Sequence, residues 1–187
     1  MPLTKMQLTN STARYGVVPQ ALHWLTFMCV VAGWLLGQFL DDLPKGAQSF
    51  GLFVHMTLGQ CVVLFLVSRL VWRAANPPPP PEPTRFGRLT IYAAKLNHIA
   101  LYALLVAVPV FGTIVQLKRG HGLPVFGFWE FAPPWPVDRP LARSMLRVHD
   151  YLANTLMIFA GIHAVAALIH HFGFRDRTLL RMVPGAG

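Results

Sequence analysis

Residues 147–172 read RVHDYLANTLMIFAGIHAVAALIHHF, a long apolar run that carries several histidines. At about 1.5 Å of rise per residue, a helix of this length crosses the roughly 30 Å hydrocarbon core of a bilayer. Ionisable side chains inside a membrane are costly and usually functional. The run therefore predicts a membrane-spanning helix whose histidines serve a function.

Three further apolar stretches are long enough to cross a bilayer, which requires about 20 residues of helix. The four predicted spans are residues 21–40, 52–72, 96–117 and 145–172. A proline run at residues 77–81 cannot continue the second helix, so we expect two helical hairpins within one domain, residues 1–187. The sequence predicts an all-α fold, an integral membrane four-helix bundle.

The first predicted span could be mistaken for a cleaved secretory signal. It begins near Leu22, carries His23 and Trp24, and is long enough to cross the membrane. A signal sequence has a shorter apolar core followed by a small-residue cleavage site. We therefore interpret this stretch as a retained helix.

The composition indicates that lipid surrounds most of the chain, and it excludes a water-soluble globular protein. Of 187 residues, 54% are hydrophobic and 12% charged, and the mean hydropathy is +0.47. A net charge of +9 could suggest a nucleic-acid partner, but the cations flank apolar runs and form no basic helix. Cys29 and Cys61 lie inside apolar runs, which predicts lipid-buried side chains and no disulfide or metal pair.

The distribution of cations predicts the orientation in the membrane. One end of the bundle carries Arg14, Arg69, Arg73, Arg85, Arg88, Lys95, Arg175, Arg177 and Arg181. This end should face the cytoplasm with both termini. The third loop is an exception, because its cations would lie outside, and its proline-rich and aromatic residues 120–140 are expected to cap the outer end.

Histidine spacing carries the functional prediction. His149 and His163 are fourteen residues apart, which corresponds to about 21 Å of rise and a return to within roughly 40° of the same helix face. On the predicted topology, His55 lies at the depth of His149, and His23 at the depth of His163. Two imidazoles on one iron suit an electron-transfer haem, so we predict two b-type haems in the interior of the bundle.

The other histidines leave alternatives open. His98 enters from the inner side, where it either competes with His23 for iron or contacts a haem propionate or a quinone. His170 and His171 either bind propionates or a quinone head group or simply mark the interface. His121 is expected to be an exposed loop residue.

The chain resembles the bacterial cytochrome b561 family over nearly its whole length, and this resemblance implies a four-helix di-haem protein of the bacterial inner membrane. The matching motifs are ALHWLTF at 21–27, VHMTLG at 54–59, LNHIALYALLVAVPVFG at 96–112, the stretch 147–172 and RDRTLLRMVP at 175–184. The resemblance implies His23, His55, His149 and His163 as the iron ligands, with His98 a family position without an iron bond. Within the family, LKRGHGLPVFG at 117–127 is similar to members that oxidise superoxide outside and reduce ubiquinone.

This resemblance gives the outer cations a possible role. Lys118, Arg119, Arg143 and Arg147 would attract a small anion to the outer haem, an effect that salt suppresses. Alternatively, these cations neutralise propionates or lipid phosphates. The first function hypothesis is therefore a superoxide:quinone oxidoreductase.

Two other function classes compete with it. The second hypothesis is a non-enzymatic haem subunit that anchors a dehydrogenase or hydrogenase and links it to the quinone pool. The third, a transporter or haem-free metal protein, is disfavoured because inverted repeats and intramembrane carboxylates are missing from the sequence.

Overall fold

The computed structural model describes residues 8–82 and 87–185, so Arg85 lies outside the described residues. Its helices are α1 (Val17–Phe39), α2 (Lys45–Ala75), α3 (Arg88–Lys118) and α4 (Arg139–Leu168), and α4 continues as a π-helical segment, Ile169–Phe174. Each helix is long and apolar enough to cross a membrane, with mean hydropathies between 1.4 and 2.1. The predicted four-helix membrane fold is confirmed.

The helices extend beyond the apolar stretches from which they were predicted. α2 begins at Lys45 and α3 at Arg88, whereas the corresponding apolar stretches begin at residues 52 and 96. The hydrocarbon core sets the length of the apolar stretch, but a helix continues into the polar interface because its backbone hydrogen bonds are internal. The assignment of the whole chain to one domain stays a prediction.

The bundle consists of two helical hairpins, as the proline run indicates. α1 packs mainly on α2 and α3 mainly on α4, whereas α2 and α3 share a smaller contact and α1 and α4 the smallest of these. The buried centre is small and aliphatic, formed by Val62, Leu66, Leu104, Leu105 and Leu156. Many large apolar side chains face outward, which suits a protein surrounded by lipid. Both cysteines are free.

We call the end of the bundle that holds the two chain termini and the α2–α3 connection the termini end. Here Arg181, only 9% exposed, donates to the backbone carbonyls of Ala13 and Pro80, each at 2.8 Å. Its guanidinium also lies 3.3 Å from the Glu82 carboxylate. Gln20, 1% exposed, donates in turn to the carbonyl of Arg181 at 3.1 Å. Arg181 therefore ties three segments together, a role beyond the topology signal that the sequence indicates.

The opposite end, which we call the hairpin end, carries a feature that the sequence did not predict. Strands β1 (Leu123–Val125) and β2 (Trp129–Phe131) pair antiparallel. The turn between them uses positive φ at Phe126 and Gly127. Gln60 of α2 fastens this β-hairpin, because its amide donates to the carbonyl of Pro124 at 2.6 Å and accepts from the N–H of Phe126 at 2.9 Å. The connection therefore folds back against α2.

Candidate functional site

A first pair of histidines lies toward the hairpin end. The rings of His55 on α2 and His149 on α4 have centroids 6.0 Å apart. His55 Nδ1 is 2.9 Å from the carbonyl oxygen of Gly33, and His149 Nδ1 is 2.9 Å from that of Val108. Because a carbonyl only accepts, both Nδ1 atoms must carry the proton. Each Nε2 therefore keeps its lone pair available for a metal.

Two glycines let these rings sit close to the neighbouring helix. A Cβ at Gly37 would lie 3.1 Å from Cε1 of His55, and a Cβ at Gly112 would lie 3.1 Å from Cε1 of His149. Each glycine comes one helical turn after the carbonyl that the same ring contacts. α1 thus holds a histidine of α2, and α3 holds a histidine of α4, in the same manner. Gly33 and Gly37 form a GxxxG spacing in α1, and here Gly37 makes room for the His55 ring.

A second group of histidines lies toward the termini end. His23 on α1 and His163 on α4 have ring centroids 6.1 Å apart. His98 on α3 approaches the same His163 ring more closely, with a centroid separation of 5.2 Å. The structure therefore brings together both residues that the sequence left in competition. His149 and His163 are fourteen residues apart on α4, which places them about 21 Å apart along the helix.

The separation of the rings in both pairs would suit a haem held between two histidines. Two imidazoles on opposite sides of one metal, with bonds of about 2 Å, place their ring centroids roughly 6 Å apart. The separations of 6.0 and 6.1 Å agree with this arrangement. A pair of imidazoles leaves a six-coordinate metal four ligands short, and a porphyrin supplies four nitrogens. The residues present therefore fit a haem at each layer.

A cavity of about 270 Å³ opens at the hairpin end, where cationic side chains from α3, the third loop and α4 meet. Its lining residues are Arg119, His121, Arg139, Ala142 and Arg143. Of the four cations predicted to attract an anion, Arg119 and Arg143 line the cavity. Lys118 instead lies 5.3 Å above the Trp135 ring, and Arg147 donates to the hydroxyl of Ser144 at 3.2 Å.

Two other members of this cavity, Arg139 and His121, were not predicted to take part in attracting an anion, although Arg139 was among the third-loop cations expected outside. Arg139 is one helical turn before the predicted Arg143 at the start of α4, so the two share a helix face. This spacing could have placed Arg139 in the cavity. His121 is exposed as predicted, yet its place in the cavity depends on how the third loop folds. No short-range pattern indicates that contact.

His170 and His171 lie in the π-helical segment and not in either histidine layer. His170 Nδ1 hydrogen-bonds to the Asp176 carboxylate, and its ring packs edge-on against Phe174 at 5.1 Å. His171 packs against the neighbouring Phe172. His170 therefore helps to fix the end of the last helix.

Comparison with known proteins agrees with this geometry. A family model described as prokaryotic cytochrome b561 matches residues 14–185. The chain belongs to this family. It is therefore a bacterial multi-pass membrane protein that binds b-type haem and transfers electrons across the membrane.

Individual relatives cover almost the full length. The chain is 32% identical to "Cytochrome b561 homolog 2" of Escherichia coli, covering 95% of each chain. It is 29% identical to "Probable superoxide oxidase CybB" of Yersinia pestis, over 91% of this chain and 96% of that protein. It is 25% identical to "Cytochrome b562" of Cereibacter sphaeroides, over 87% and 90% of the two chains.

Proposed function

We propose that this chain is a di-haem superoxide:ubiquinone oxidoreductase. Two superoxide anions each give up one electron and become dioxygen, while one ubiquinone takes up two electrons and two protons and becomes ubiquinol. Bound haem supplies one-electron redox centres on either side of the membrane's midplane. The observation that carries the proposal is the presence of two imidazole pairs, one in each layer, both at the separation that an iron requires.

The proposed ligands are His55 with His149 at the hairpin end, and His23 with His163 at the termini end. Ring separation favours His23 over His98, because 5.2 Å is short for two imidazoles on opposite faces of one metal. We assign His98 to contact with a haem carboxylate or a quinone head group, and the same class of contact is proposed for His170 and His171. Hydrogen bonds to backbone carbonyls hold His55 and His149 in the ligating tautomer.

We propose that superoxide approaches through the cationic cavity at the hairpin end, which then faces the periplasm. The cavity carries three arginines and no carboxylate among its lining residues. Concave surfaces of one charge raise the local concentration of an oppositely charged substrate. Lys118 and Arg147 lie outside the cavity lining and would act through the general positive field of this end.

The remaining cations indicate that the termini end faces the cytoplasm. Arg69, Arg73, Arg88 and Lys95 lie at or near the termini end. Cations close to membrane spans favour the cytoplasmic side. We therefore propose that both termini are cytoplasmic and that ubiquinone is reduced from the membrane.

The haem assignment is tested by spectra of the purified protein and of its histidine variants. We expect two b haems per chain by reduced-minus-oxidised absorbance and a haem-to-protein ratio. His55→Ala and His149→Ala should each remove one haem, and His23→Ala and His163→Ala should remove the other. His98→Ala, the matched control, should keep both. Loss of the second haem from His98→Ala but not from His23→Ala would contradict the ligand assignment.

The donor assignment is tested by stopped-flow mixing of the oxidised protein with superoxide. Unit charges about 6 Å apart in water interact by roughly 0.7 kcal/mol, so Arg143→Gln or Arg139→Gln should slow the second-order step about threefold at low ionic strength. Arg177→Gln, at the termini end, removes the same charge and should leave the rate unchanged. Added salt should bring the variants and the wild type together. A salt-independent rate would argue against steering.

One observation favours a second function, that of a haem-containing anchor subunit. The β-hairpin and the loop after it expose large aromatic side chains, with Phe128 96% and Trp129 63% exposed. Such side chains suit either the membrane interface or a docked redox protein. An anchor subunit should show no superoxide-driven ubiquinone reduction when purified alone, whereas the oxidoreductase should turn over without a partner.

A further inference from the structure

A second, smaller cavity lies at the termini end, on the side of α2 that faces α1 and the chain ends. Its volume is about 30 Å³. A single water needs about 10–15 Å³ of such a cavity, so the space suits a group of a few atoms, such as a carboxylate. Three side chains within about one turn of α2 line it, namely Arg69, Trp72 and Arg73. The rest of the lining comes from the start of α1, the terminal segments and the end of α2 with the connection after it: Asn10, Tyr15, Pro19, Asn76, Pro78 and Met182.

Several hydrogen-bond donors line the cavity, and one of them has no partner. Trp72 Nε1 is buried and has no hydrogen-bond partner among residues 8–82 and 87–185. Over the same residues, neither Arg69 nor Arg73 forms an ion pair, and the nearby Glu82 is already engaged by Arg181. A buried unpaired donor costs about 1–3 kcal/mol, and like charges one helical turn apart repel. Donors arranged in this way are stabilised by an anion with two or more oxygens.

The cavity adjoins the histidine layer of the termini end. Arg69 is close enough to interact electrostatically with His23, His98 and His163. It also lies 5.7 Å above the ring of Tyr102 on α3, which directs its guanidinium toward the interior of the bundle. Pro19 comes one helical turn before His23 on α1.

We infer that Arg69, Arg73 and the indole N–H of Trp72 form the binding site for a carboxylate of the haem in the termini-end layer. The inference rests on the proposed function, because it takes His23 and His163 as the ligands of that haem. Guanidinium groups bind carboxylates through short, charge-assisted hydrogen bonds, and an indole donates one more. A lipid phosphate offers the same oxygen chemistry. The closeness of Arg69 to His23 and His163 favours the haem.

The test measures haem retention in the purified holoprotein, so it does not depend on activity. Transfer of haem to excess apomyoglobin is followed by absorbance for Arg69→Gln and Arg73→Gln. Loss of a charge-assisted hydrogen bond should speed release of the termini-end haem about tenfold or more and leave the other haem unaffected. Arg73→Lys, which keeps the charge, should recover part of the loss. Redox titration should show a lower midpoint potential for the termini-end haem alone.

Two further variants separate this role from a general structural one. Trp72→Phe keeps a large ring and removes only the donor, so release should be a few-fold faster. Arg88→Gln, at the same end but outside the cavity lining, is the matched control and should release haem at the wild-type rate. Unchanged release from both Arg69→Gln and Arg73→Gln, with two haems still bound, would overturn the inference and leave the proposed function intact. A wild-type protein that binds no haem would instead overturn the proposed function.

The identity of the anion is decided by repeating the measurement in two environments. If the occupant is the haem carboxylate, the variants release haem faster both in lipid-depleted maltoside micelles and in nanodiscs that contain anionic lipid. If the difference appears only in the lipid nanodiscs, the arginines bind a lipid phosphate and the inference is wrong.

Discussion

Replacing Gly112 by alanine should weaken binding of the haem proposed for the hairpin-end layer while leaving the bundle intact. A Cβ at this position would lie 3.1 Å from Cε1 and 3.3 Å from Nδ1 of His149. Carbon atoms in ordinary contact are about 3.5–4.0 Å apart, so the ring must retreat by about 0.4 Å or more. That movement stretches the 2.9 Å hydrogen bond between Nδ1 and the carbonyl of Val108.

The substitution should lower the affinity for haem and should not lower the stability of the haem-free protein. Overpacking of this kind costs about 1–3 kcal/mol, and a weakened hydrogen bond costs about 1 kcal/mol more. In the haem-free protein the His149 ring is free to turn away, so this total of about 2–4 kcal/mol opposes ligation. Haem affinity at this layer should therefore fall by roughly 30- to 700-fold. Alanine is also a better helix former than glycine by about 1 kcal/mol, so α3 itself should not weaken.

The assay is the haem-to-protein ratio, combined with the rate of haem transfer to apomyoglobin. Gly37→Ala should behave in the same way, because its Cβ would lie 3.1 Å from Cε1 of His55. Gly33→Ala is the matched control, since its Cβ would meet only Leu58, at an ordinary 3.8 Å. If Gly112→Ala and Gly33→Ala retain haem equally well, the reasoning about the glycine contacts is refuted.

Three further changes test the rest of the structure. Arg181→Gln leaves partly buried acceptors without their cation, so the protein should lose about 1–3 kcal/mol of stability, measured as a lower thermal midpoint in detergent. Gln60→Leu removes both hydrogen bonds to the β-hairpin, and hydrogen exchange of its amides should speed up about tenfold or more, with the helices unaffected. Burial raises the pKa of Asp176, but hydrogen bonds, above all that from His170, outweigh it and hold this pKa below its ordinary value of 3.8. The carboxylate therefore stabilises the C-terminal segment above pH 4, and this contribution is lost as the pH falls through the lowered pKa, so Asp176→Asn should speed amide exchange there at neutral pH but not in strong acid.

Much of the architecture follows from local properties of the chain. A membrane span depends on the hydropathy of about 20 consecutive residues, so the four helices could be located without any knowledge of their neighbours. The spacing of His149 and His163 depends only on helix geometry, so two layers of histidines could also be predicted. The proline run marked the division into two hairpins for an equally local reason.

The tertiary structure decided what depends on contacts between segments. Gly37 and Gly112 make room for rings on another helix, and in the sequence they are ordinary helix glycines. Arg181 and Gln60 bind backbone carbonyls far away in the chain, which neither charge nor hydropathy indicates. His121 joins the cation cavity only because the third loop brings it beside Arg119, Arg139 and Arg143. Hydropathy and helical period determine which segments cross the membrane, but the partner of each polar atom is set only when the helices pack.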